Sequence, residues 1–208
     1  MTSSEFWKHL RHRIWSEAPI LLLVRPAGKP LNEELYRRLT ERGGELYSVT
    51  EKQLGDYAPF GNANVHMPVF QKILQKGGIV HLGYLNGKCV YRHAAQCSGD
   101  IEYEGCLVRH LGLNEMMTGL SFCAPEARGH GWQTRSLYKM FQEKPEYTAY
   151  TLVREKNPAS LVACLHAGYE IRDLLTVKNR IFHRSLTQRP LSKEEIQGII
   201  AQLHNNTP

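Results

Sequence analysis

The chain has 208 residues, of which 42% are apolar and 22% charged, and its formal net charge is +6. This composition describes one globular domain, with or without an appended segment, and no apolar run is long enough for a membrane span. The basic residues are scattered, so we expect no nucleic-acid partner. The five cysteines have no metal-site spacing, and no apolar leader precedes them. We therefore expect no metal, reduced thiols and a cytoplasmic protein.

The N-terminal third predicts alternating helices and strands. Apolar side chains recur there at a spacing of about 3.6 residues, and Asn and Pro mark the boundaries. The predicted elements are a helix over 4–16 that ends before Pro19, a strand over 20–24, a helix over 33–42 with Asn32 as its cap, and a short strand over 46–49. Residues 58–68 are turn-rich and have no period, so they predict a long loop.

The rest of the chain predicts mostly strands, with Asn86-Gly87 as a strong hairpin signal. Asn157-Pro158 predicts the start of a helix, and Ser192 with Glu195 predicts a capping box. The predicted elements are a helix over 69–75, strands over 79–85 and 88–96, a turn over 98–100, strands over 106–113 and 116–124, a helix that follows the turn at 125–135 and ends at 144–145, a strand over 147–153, a helix over 158–167, a last strand or hairpin over 169–183, and a helix to about 203.

The turn between the 116–124 strand and the helix after it carries the clearest functional signal. It reads Pro125-Glu126-Ala127-Arg128-Gly129-His130-Gly131-Trp132-Gln133-Thr134. Free amides at a helix N-terminus suit a phosphate, glycines let the backbone approach it closely, and an Arg adds positive charge. A tight strand-to-helix turn with an exposed Arg is the alternative interpretation.

The order of elements over roughly 70–186, together with two motifs, resembles the GNAT acetyltransferase superfamily. The family turn is Arg/Gln-x-x-Gly-x-Gly/Ala, which Arg128 and Gly131 match, whereas Gln133 replaces Gly/Ala. The second motif is Asn, a small residue three positions on, and a closing Gly-Phe/Tyr. Asn157, Ser160 and Gly168-Tyr169 match it. The resemblance implies an α/β fold with a mixed, mostly antiparallel central sheet flanked by helices on both faces.

The resemblance also implies acetyl-CoA, or another acyl-CoA, as co-substrate. The backbone of Phe122, Cys123 and Ala124 would bind the pantetheine arm. Asn157 and Ser160 would contact the cofactor at the neighbouring strand–helix junction. The amides that would hold the pyrophosphate belong to Arg128, Gly129, His130, Gly131, Trp132, Gln133 and Thr134.

The catalytic groups are less clear in the sequence. Many family members use a carboxylate as base and a Tyr of the second helix as acid. That Tyr position is occupied here by Cys164, which is a candidate acid, although buried Cys is more often a packing residue. Glu115, at the start of the strand that faces the cofactor, is our candidate base; Glu102 and Glu104 are the other carboxylates there.

We divide the chain into an N-terminal segment (1–68), an acyl-CoA-binding core (69–186) and a C-terminal helix and tail (187–208). The first segment is either a divergent start of the fold or an acceptor-site element. We expect an N-acyltransferase that moves an acetyl group to the primary amine of a small molecule, of the amino-sugar or amino-acid type. Alternatives are a longer acyl-CoA or acyl carrier protein as donor, and a degenerate domain that binds without turnover. We expect no membrane partner and allow for a homodimer.

Overall fold

The structure, a computed structural model, describes residues 16–57, 63–180 and 183–205. Eight of the ten strands in this part of the chain form one sheet, and the other two form a separate hairpin. The strands are β1 (Ser16–Arg25), β2 (Glu45–Ser48), β3 (Ile79–Leu85), β4 (Lys88–Gln96), β5 (Gly99–Tyr103), β6 (Cys106–Leu111), β7 (Glu115–Cys123), β8 (Thr148–Arg154), β9 (Glu170–Arg180) and β10 (His183–Pro190).

Five α-helices and two short 3₁₀ segments accompany the strands in the described residues. The α-helices are α1 (Glu33–Thr40), α2 (Ala63–Gln75), α3 (Trp132–Glu143), α4 (Pro158–His166) and α5 (Lys193–Asn205). The 3₁₀ segments are Glu51–Tyr57 and Pro125–Ala127. No helix in the described ranges is both long enough and apolar enough to cross a membrane.

The main sheet has the order β10-β9-β1-β8-β7-β4-β3-β2. Every neighbouring pair is antiparallel except β7 and β8, which run parallel. The expected mixed α/β fold with a mostly antiparallel central sheet is therefore confirmed. The first strand of the described chain lies deep in this sheet, because β1 pairs with β8 on one side and with β9 on the other.

The two faces of the sheet bury different clusters. On what we call the first face, α3, α4 and α5 pack over residues such as Leu21, Ala95 and Met116. On the second face, α2 covers Val80 and Ala94. The β5–β6 hairpin covers the other half of the second face, where Ile101 packs with Met117. Side chains alternate between the faces along each strand, so a residue's position along a strand determines which layer it joins.

A polar cluster is buried between the sheet and α3, in the apolar layer of the first face. The ring Nδ1 atoms of His81 (β3) and His93 (β4) lie 2.9 Å and 3.0 Å from the Ser136 hydroxyl. His81 Nε2 lies 3.5 Å from Glu143 Oε1, and Lys139 pairs with the same carboxylate oxygen at 3.7 Å. Burial lowers the pKa of both imidazoles, and their hydrogen-bonding groups are shared within this cluster.

The local signals of the sequence are confirmed in the structure. Asn32 Oδ1 accepts from the Leu35 amide at 3.0 Å, and Asn157 Oδ1 accepts from the Ser160 amide at 3.2 Å. Asn86-Gly87 links β3 to β4 with positive φ at both residues, as a tight hairpin requires. The capping box at Ser192 forms both of its reciprocal bonds with Glu195.

Three boundary predictions are wrong. Helix α2 begins at Ala63, inside the predicted loop, and it includes Pro68 because one missing amide removes only one hydrogen bond. Residues 99–103 form strand β5, where we predicted a turn at 98–100. Of the strand or hairpin predicted over 169–183, the structure has the strand, at residues 170–180. Strand β1 begins at Ser16 and includes Pro19, which is tolerated because pairing with β8 starts only at Ile20. The remainder of the predicted 4–16 helix lies outside the described residues.

Candidate functional site

Strands β7 and β8 separate midway along their length. They pair in parallel from Glu115↔Thr148 to Thr118↔Thr151, and then β7 continues to Cys123 with only β4 beside it. We call the opening between residues 119–123 of β7 and residues 152–154 of β8 the fork. The strand becomes exposed at the point where its partner leaves. Backbone groups on that edge of β7 are therefore open to an extended ligand.

A bulge in β7 lies at the fork. The β4–β7 register shifts between Arg92/Phe122 and Ala94/Gly119, and Leu120 has a φ of 56°. A left-handed conformation is costly for a branched residue and needs support from its surroundings. That support comes from Arg92, whose Nη1 donates to the Leu120 carbonyl at 3.0 Å. Because the peptide is trans, the Ser121 amide points away from Arg92.

Arg92 is buried on the second face, although it carries a guanidinium. Its guanidinium carbon lies 5.5 Å from the centre of the Phe70 ring and 5.6 Å from the centre of the Phe122 ring. These aromatic faces stabilise a cation in a partly desolvated place. The packing fixes the side chain that holds the bulge, and so it fixes the orientation of the bulge peptide.

The Gly-rich turn presents a series of amides at the N-terminus of α3. The first backbone bond of this helix runs from the Arg135 amide to the Gly131 carbonyl at 3.0 Å. Within the described chain, the amides of residues 129–134 donate to no protein acceptor. Arg128 is exposed beside them. Unused donors, the positive end of the helix dipole and a cation together form a cradle suited to a phosphate.

The two glycines of the turn have different roles. Both have positive φ, 87° at Gly129 and 67° at Gly131. A Cβ on Gly129 would meet nothing within 4 Å, so this residue leaves the approach to the amides open. A Cβ on Gly131 would lie 2.6 Å from Leu39 Cδ2 of α1. Gly131 is therefore required for packing, and its replacement by a bulky residue would disturb the fold rather than only block a ligand.

The loop after α1 holds this turn in place. Arg42 Nη1 donates to the Gly129 carbonyl at 2.9 Å, and the Arg42 carbonyl lies 2.9 Å from His130 Nδ1. Arg135 donates from Nη1 and Nη2 to the carbonyls of Gly43 and Gly44, each at 2.8 Å. The N-terminal part of the chain thus supports the candidate phosphate cradle directly.

Two predicted binding residues turn their side chains into the protein. Trp132 is buried, its ring stacks 5.8 Å from Tyr91, and its Nε1 donates to the Ala127 carbonyl at 2.9 Å. The Thr134 hydroxyl donates to the Ala163 carbonyl of α4 at 3.4 Å. Only the backbone amides of Trp132 and Thr134 are therefore available to a ligand.

Residues of the two sequence motifs meet in space. Gln133 Nε2 donates to the Ser160 hydroxyl at 2.8 Å and lies 3.6 Å from Cys164 Sγ. This side chain fills the gap between α3 and α4 at the position where the resemblance has Gly or Ala. The amide oxygen of Asn157 is used as the cap of α4. Ser160 thus lies next to the turn, and both its hydroxyl and the amide oxygen of Asn157 already have protein partners.

The predicted general acid is a core residue. Cys164 has no exposed surface, and burial raises the pKa of its thiol to about 12. A thiol that is closed off by Gln133 and Ser160 does not reach a substrate. This geometry argues against Cys164 as a proton donor and gives it a packing role.

The predicted general base is part of a structural ion pair. Glu115 accepts from Arg109, from the Gly112 amide at 2.8 Å and from the Tyr150 hydroxyl at 2.9 Å. Burial acts to raise the pKa of Glu115, but these hydrogen bonds outweigh it and lower that pKa. Glu115 lies on the part of β7 that is still paired with β8. The carboxylate therefore anchors the β5–β6 hairpin to the sheet, and this arrangement argues against the predicted role as base.

The three residues predicted for the pantetheine arm lie at the end of β7. Phe122 and Cys123 pair with β4. Successive residues of an antiparallel strand point their backbone groups to opposite sides, and the Ala124 amide bonds to Val90, so the groups of Cys123 face the fork and those of Phe122 face β4. Ala124 differs, because its amide donates to the Val90 carbonyl at 2.8 Å and its carbonyl accepts from the Ala127 amide at 2.9 Å. The structure leaves Ala124 no open backbone group for a ligand.

Arg92, Arg42 and the bulge at Leu120 belong to the candidate site but were not predicted from the sequence. Arg92 had one local signal, because it interrupts an apolar strand on the face that α2 covers. Arg42 and Leu120 had none, since their importance arises from contacts between segments distant in the chain. We found no group of three or more metal-ligating side chains in the described residues.

Comparisons with known proteins identify the fold. No family model matches the sequence, and no curated protein matches it significantly. Solved structures do match. One is the GCN5-related glucosamine N-acetyltransferase region of a fungal multi-domain GH3 beta-N-acetylglucosaminidase, at 10% identity and TM-score 0.57, covering 90% of this chain and 23% of that one.

Two bacterial structures match in the same way. A putative GNAT-family acetyltransferase from Novosphingobium aromaticivorans has 12% identity and TM-score 0.54, and the match covers 85% of this chain and 66% of that one. A GNAT-family acetyltransferase from Colwellia psychrerythraea has 12% identity and TM-score 0.51, covering 90% and 62%. This chain thus spans less than two thirds of the length of each of these three structures. Its fold is the fold of the GNAT superfamily.

Proposed function

We propose that the protein is an acyl-CoA-dependent N-acyltransferase, with acetyl-CoA as donor and the primary amine of a small molecule as acceptor. One observation carries the proposal: a strand fork with a held bulge lies beside a cradle of unused helix N-terminal amides. The cradle suits a pyrophosphate, the open edge of β7 at the fork suits an extended pantetheine arm, and the bulge suits a thioester carbonyl. The GNAT-family structures that share the fold support the same function.

The phosphate end is assigned to the turn. The amides of residues 129–134 would donate to the pyrophosphate oxygens, and Arg128 would add a charge that the described chain does not neutralise. Gly129 keeps the approach open because nothing lies within 4 Å of its Cβ position. The open backbone groups of Cys123, on the edge of β7 at the fork, would pair with the amide groups of the pantetheine arm.

The reacting end is assigned to the bulge. Arg92 holds the Leu120 carbonyl at 3.0 Å, and the Ser121 amide on the same peptide points the other way. We assign this amide to the thioester carbonyl oxygen, which becomes more negative as the amine attacks. A donor that is fixed before the reaction costs no reorganisation during it. Arg92 acts here as a positioning residue.

The transfer reaction itself needs little chemistry from the side chains. The thioester C–S bond breaks as the amide C–N bond forms, and the proton lost by the amine nitrogen ends on the CoA sulfur or in water. We assign neither the removal of the amine proton nor the protonation of the CoA sulfur to Cys164 or Glu115, because both side chains are held in protein contacts. Orientation of the amine and stabilisation of the oxyanion supply the acceleration.

Calorimetric titration with acetyl-CoA, followed by thiol detection of released CoA with a panel of amines, tests the proposal. Arg128→Glu is the sharpest variant, since the side chain is exposed and its charge is reversed. We expect its Kd for acetyl-CoA to rise by about 10-fold or more. Lys52→Glu, an equal charge change on the exposed 3₁₀ segment Glu51–Tyr57, should bind like the unaltered protein. No binding by the unaltered protein would refute the function.

The same titration separates two alternatives. A domain that binds acetyl-CoA and releases no CoA with any amine would be a ligand-binding relative without turnover. The buried thiol at the position of the family's acid is the observation that favours this alternative. Higher turnover with longer acyl-CoA or with an acyl carrier protein would instead change the donor and leave the reaction class intact.

A further inference from the structure

A cleft opens on the second face between α2 and the start of β5. Its volume is about 700 Å³, and it is partly open to solvent. One wall is α2, with the apolar side chain of Ile73 and two lysines, and the opposite wall carries two acidic residues. The residues that matter for its chemistry are Lys72, Lys76, Gln96, Asp100 and Glu102.

The cleft lies close to the fork. Gln96 is on the second face, because it is two residues from Ala94, which packs under α2. Ala94 pairs with Gly119 at the fork, so about 7 Å of strand separates Gln96 from that point. Gly119 shares the face of Met117, and a Cβ there would meet nothing within 4 Å. The cleft and the fork are therefore neighbours along β4, and the second face at Gly119 is uncovered within 4 Å of its Cβ position.

The lysines on the α2 wall are unneutralised. Lys72 is on α2, and Lys76 directly follows its last residue. The Lys76 amide still donates to the Lys72 carbonyl at 3.2 Å, so the two lysines are one turn apart on the same side. Both are exposed, and neither has an acidic partner within 4.0 Å in the described residues. Two adjacent cations of this kind repel each other, and an anion placed between them relieves that repulsion.

The facing wall is acidic and fixed in place. Gln96 Nε2 donates to the carbonyls of Ser98 and Asp100, at 2.8 Å and 3.2 Å, which sets the course of the β4–β5 connection. Asp100 contacts His110, and Glu102 is exposed with no cationic partner among the described residues. The cleft thus contains two charged side chains of each sign, and the described residues form no ion pair across it.

We propose that this cleft is the acceptor subsite and that it takes a zwitterion of the amino-acid type. The carboxylate would lie against Lys72 and Lys76, and the ammonium group would lie against the wall of Asp100 and Glu102. This inference rests on the proposed acyltransferase function. It narrows the acceptor, because a sugar amine has no carboxylate to satisfy the two lysines.

Three matched acceptors and one unreactive analogue test the charge requirement. The acceptors are a free amino acid, its methyl ester and the amine without the carboxyl group, and the analogue is the acid without the amine. Binding of all four to the protein is measured by titration without a donor, and the KM of the three acceptors is measured with acetyl-CoA. We expect the ester and the simple amine to have a KM about 10-fold or more above that of the amino acid.

Paired variants locate the two charges. Lys72→Met with Lys76→Met should raise the KM of the amino acid by about 10-fold and leave the KM of the simple amine unchanged. Glu102→Gln should raise the KM of both, since both carry the amine. Lys193→Met, on the exposed start of α5, is the control and should change neither. The Kd for acetyl-CoA should be the same in every variant.

The results distinguish this inference from the proposed function. Amino acid and ester with equal KM, or a lysine variant with unaltered KM, would overturn the zwitterion cleft while CoA release still supports the acyltransferase. Loss of acetyl-CoA binding in the unaltered protein would overturn the function. Donor-free binding of the amino acid, lost in the lysine variant, would then still support the cleft.

Discussion

Acidification should destabilise the protein through His93. This imidazole is buried between the sheet and α3, and burial, with His81 beside it, lowers its pKa to about 3. The groups around it are His81 on β3, and Ser136, Lys139 and Glu143 on α3. Glu143 contacts His81 rather than His93, so no carboxylate of the described residues compensates a charge on the His93 ring.

The size of the effect follows from the two pKa values. In the unfolded chain the pKa of His is near 6.5, so between about pH 6.5 and pH 3 the unfolded state binds a proton that the folded state does not bind. The contribution of the neutral His93 to the free energy of unfolding is fully present above pH 6.5 and is lost as the pH falls towards 3. At about pH 5 the loss is about 2 kcal/mol for His93 alone, because a gap of about 1.5 units is multiplied by about 1.36 kcal/mol per unit.

Urea unfolding at about pH 7.5 and about pH 5 measures this loss. His93→Asn keeps a polar atom near the position of Nδ1, next to Ser136, but does not titrate. We expect the variant to lose about 2 kcal/mol less between the two pH values than the unaltered protein. Val90→Ala, a core change on the same strand, should lower stability equally at both pH values. Parallel pH dependence in His93→Asn and the unaltered protein would refute the reasoning.

Three further predictions concern the site. Arg92→Met should lower kcat by up to about 100-fold while the Kd for acetyl-CoA changes little, because the Leu120 carbonyl loses the hydrogen bond that orients the bulge peptide. An unchanged kcat would contradict the assignment. Gly131→Ala should lower the free energy of unfolding by about 1–3 kcal/mol through contact with Leu39, and an unaltered urea midpoint would contradict it. Gln133→Ala should expose Cys164 to thiol reagents, so labelling that stays as slow as in the unaltered protein would contradict the packing described here.

Local chemistry made much of the fold predictable. Asn157 and Ser192 specify helix starts through bonds to residues three positions away, and Asn86-Gly87 specifies a turn through its own φ angles. Such signals need no knowledge of distant segments. The place of β1 between β8 and β9 was not predictable in this way, since the apolar run 20–24 is equally suited to any buried position in a sheet.

The candidate site also has a part that local patterns predict and a part that depends on distant segments. The turn and the Asn157–Ser160 motif were recognised from short patterns, and the structure brings them together through Gln133. The roles of single side chains were less predictable. Glu115 and Cys164 looked suited to acid–base chemistry by residue type, but contacts made by other segments engage both groups. The bulge at Leu120 depends on a strand register that no local pattern encodes.

The central place of β1 has a consequence for how the chain folds. Both of its neighbours, β8 and β9, come from the C-terminal third of the sequence. During synthesis β1 emerges before both of its partners, and both of its edges stay unpaired until β8 and β9 are made. The apolar segment Ile20–Val24 lacks these partners throughout that interval, when its unpaired edges favour association with other chains. We therefore expect this protein to fold slowly, in a step that joins β1 to β8 and β9, and to need protection from aggregation until β1 is inserted.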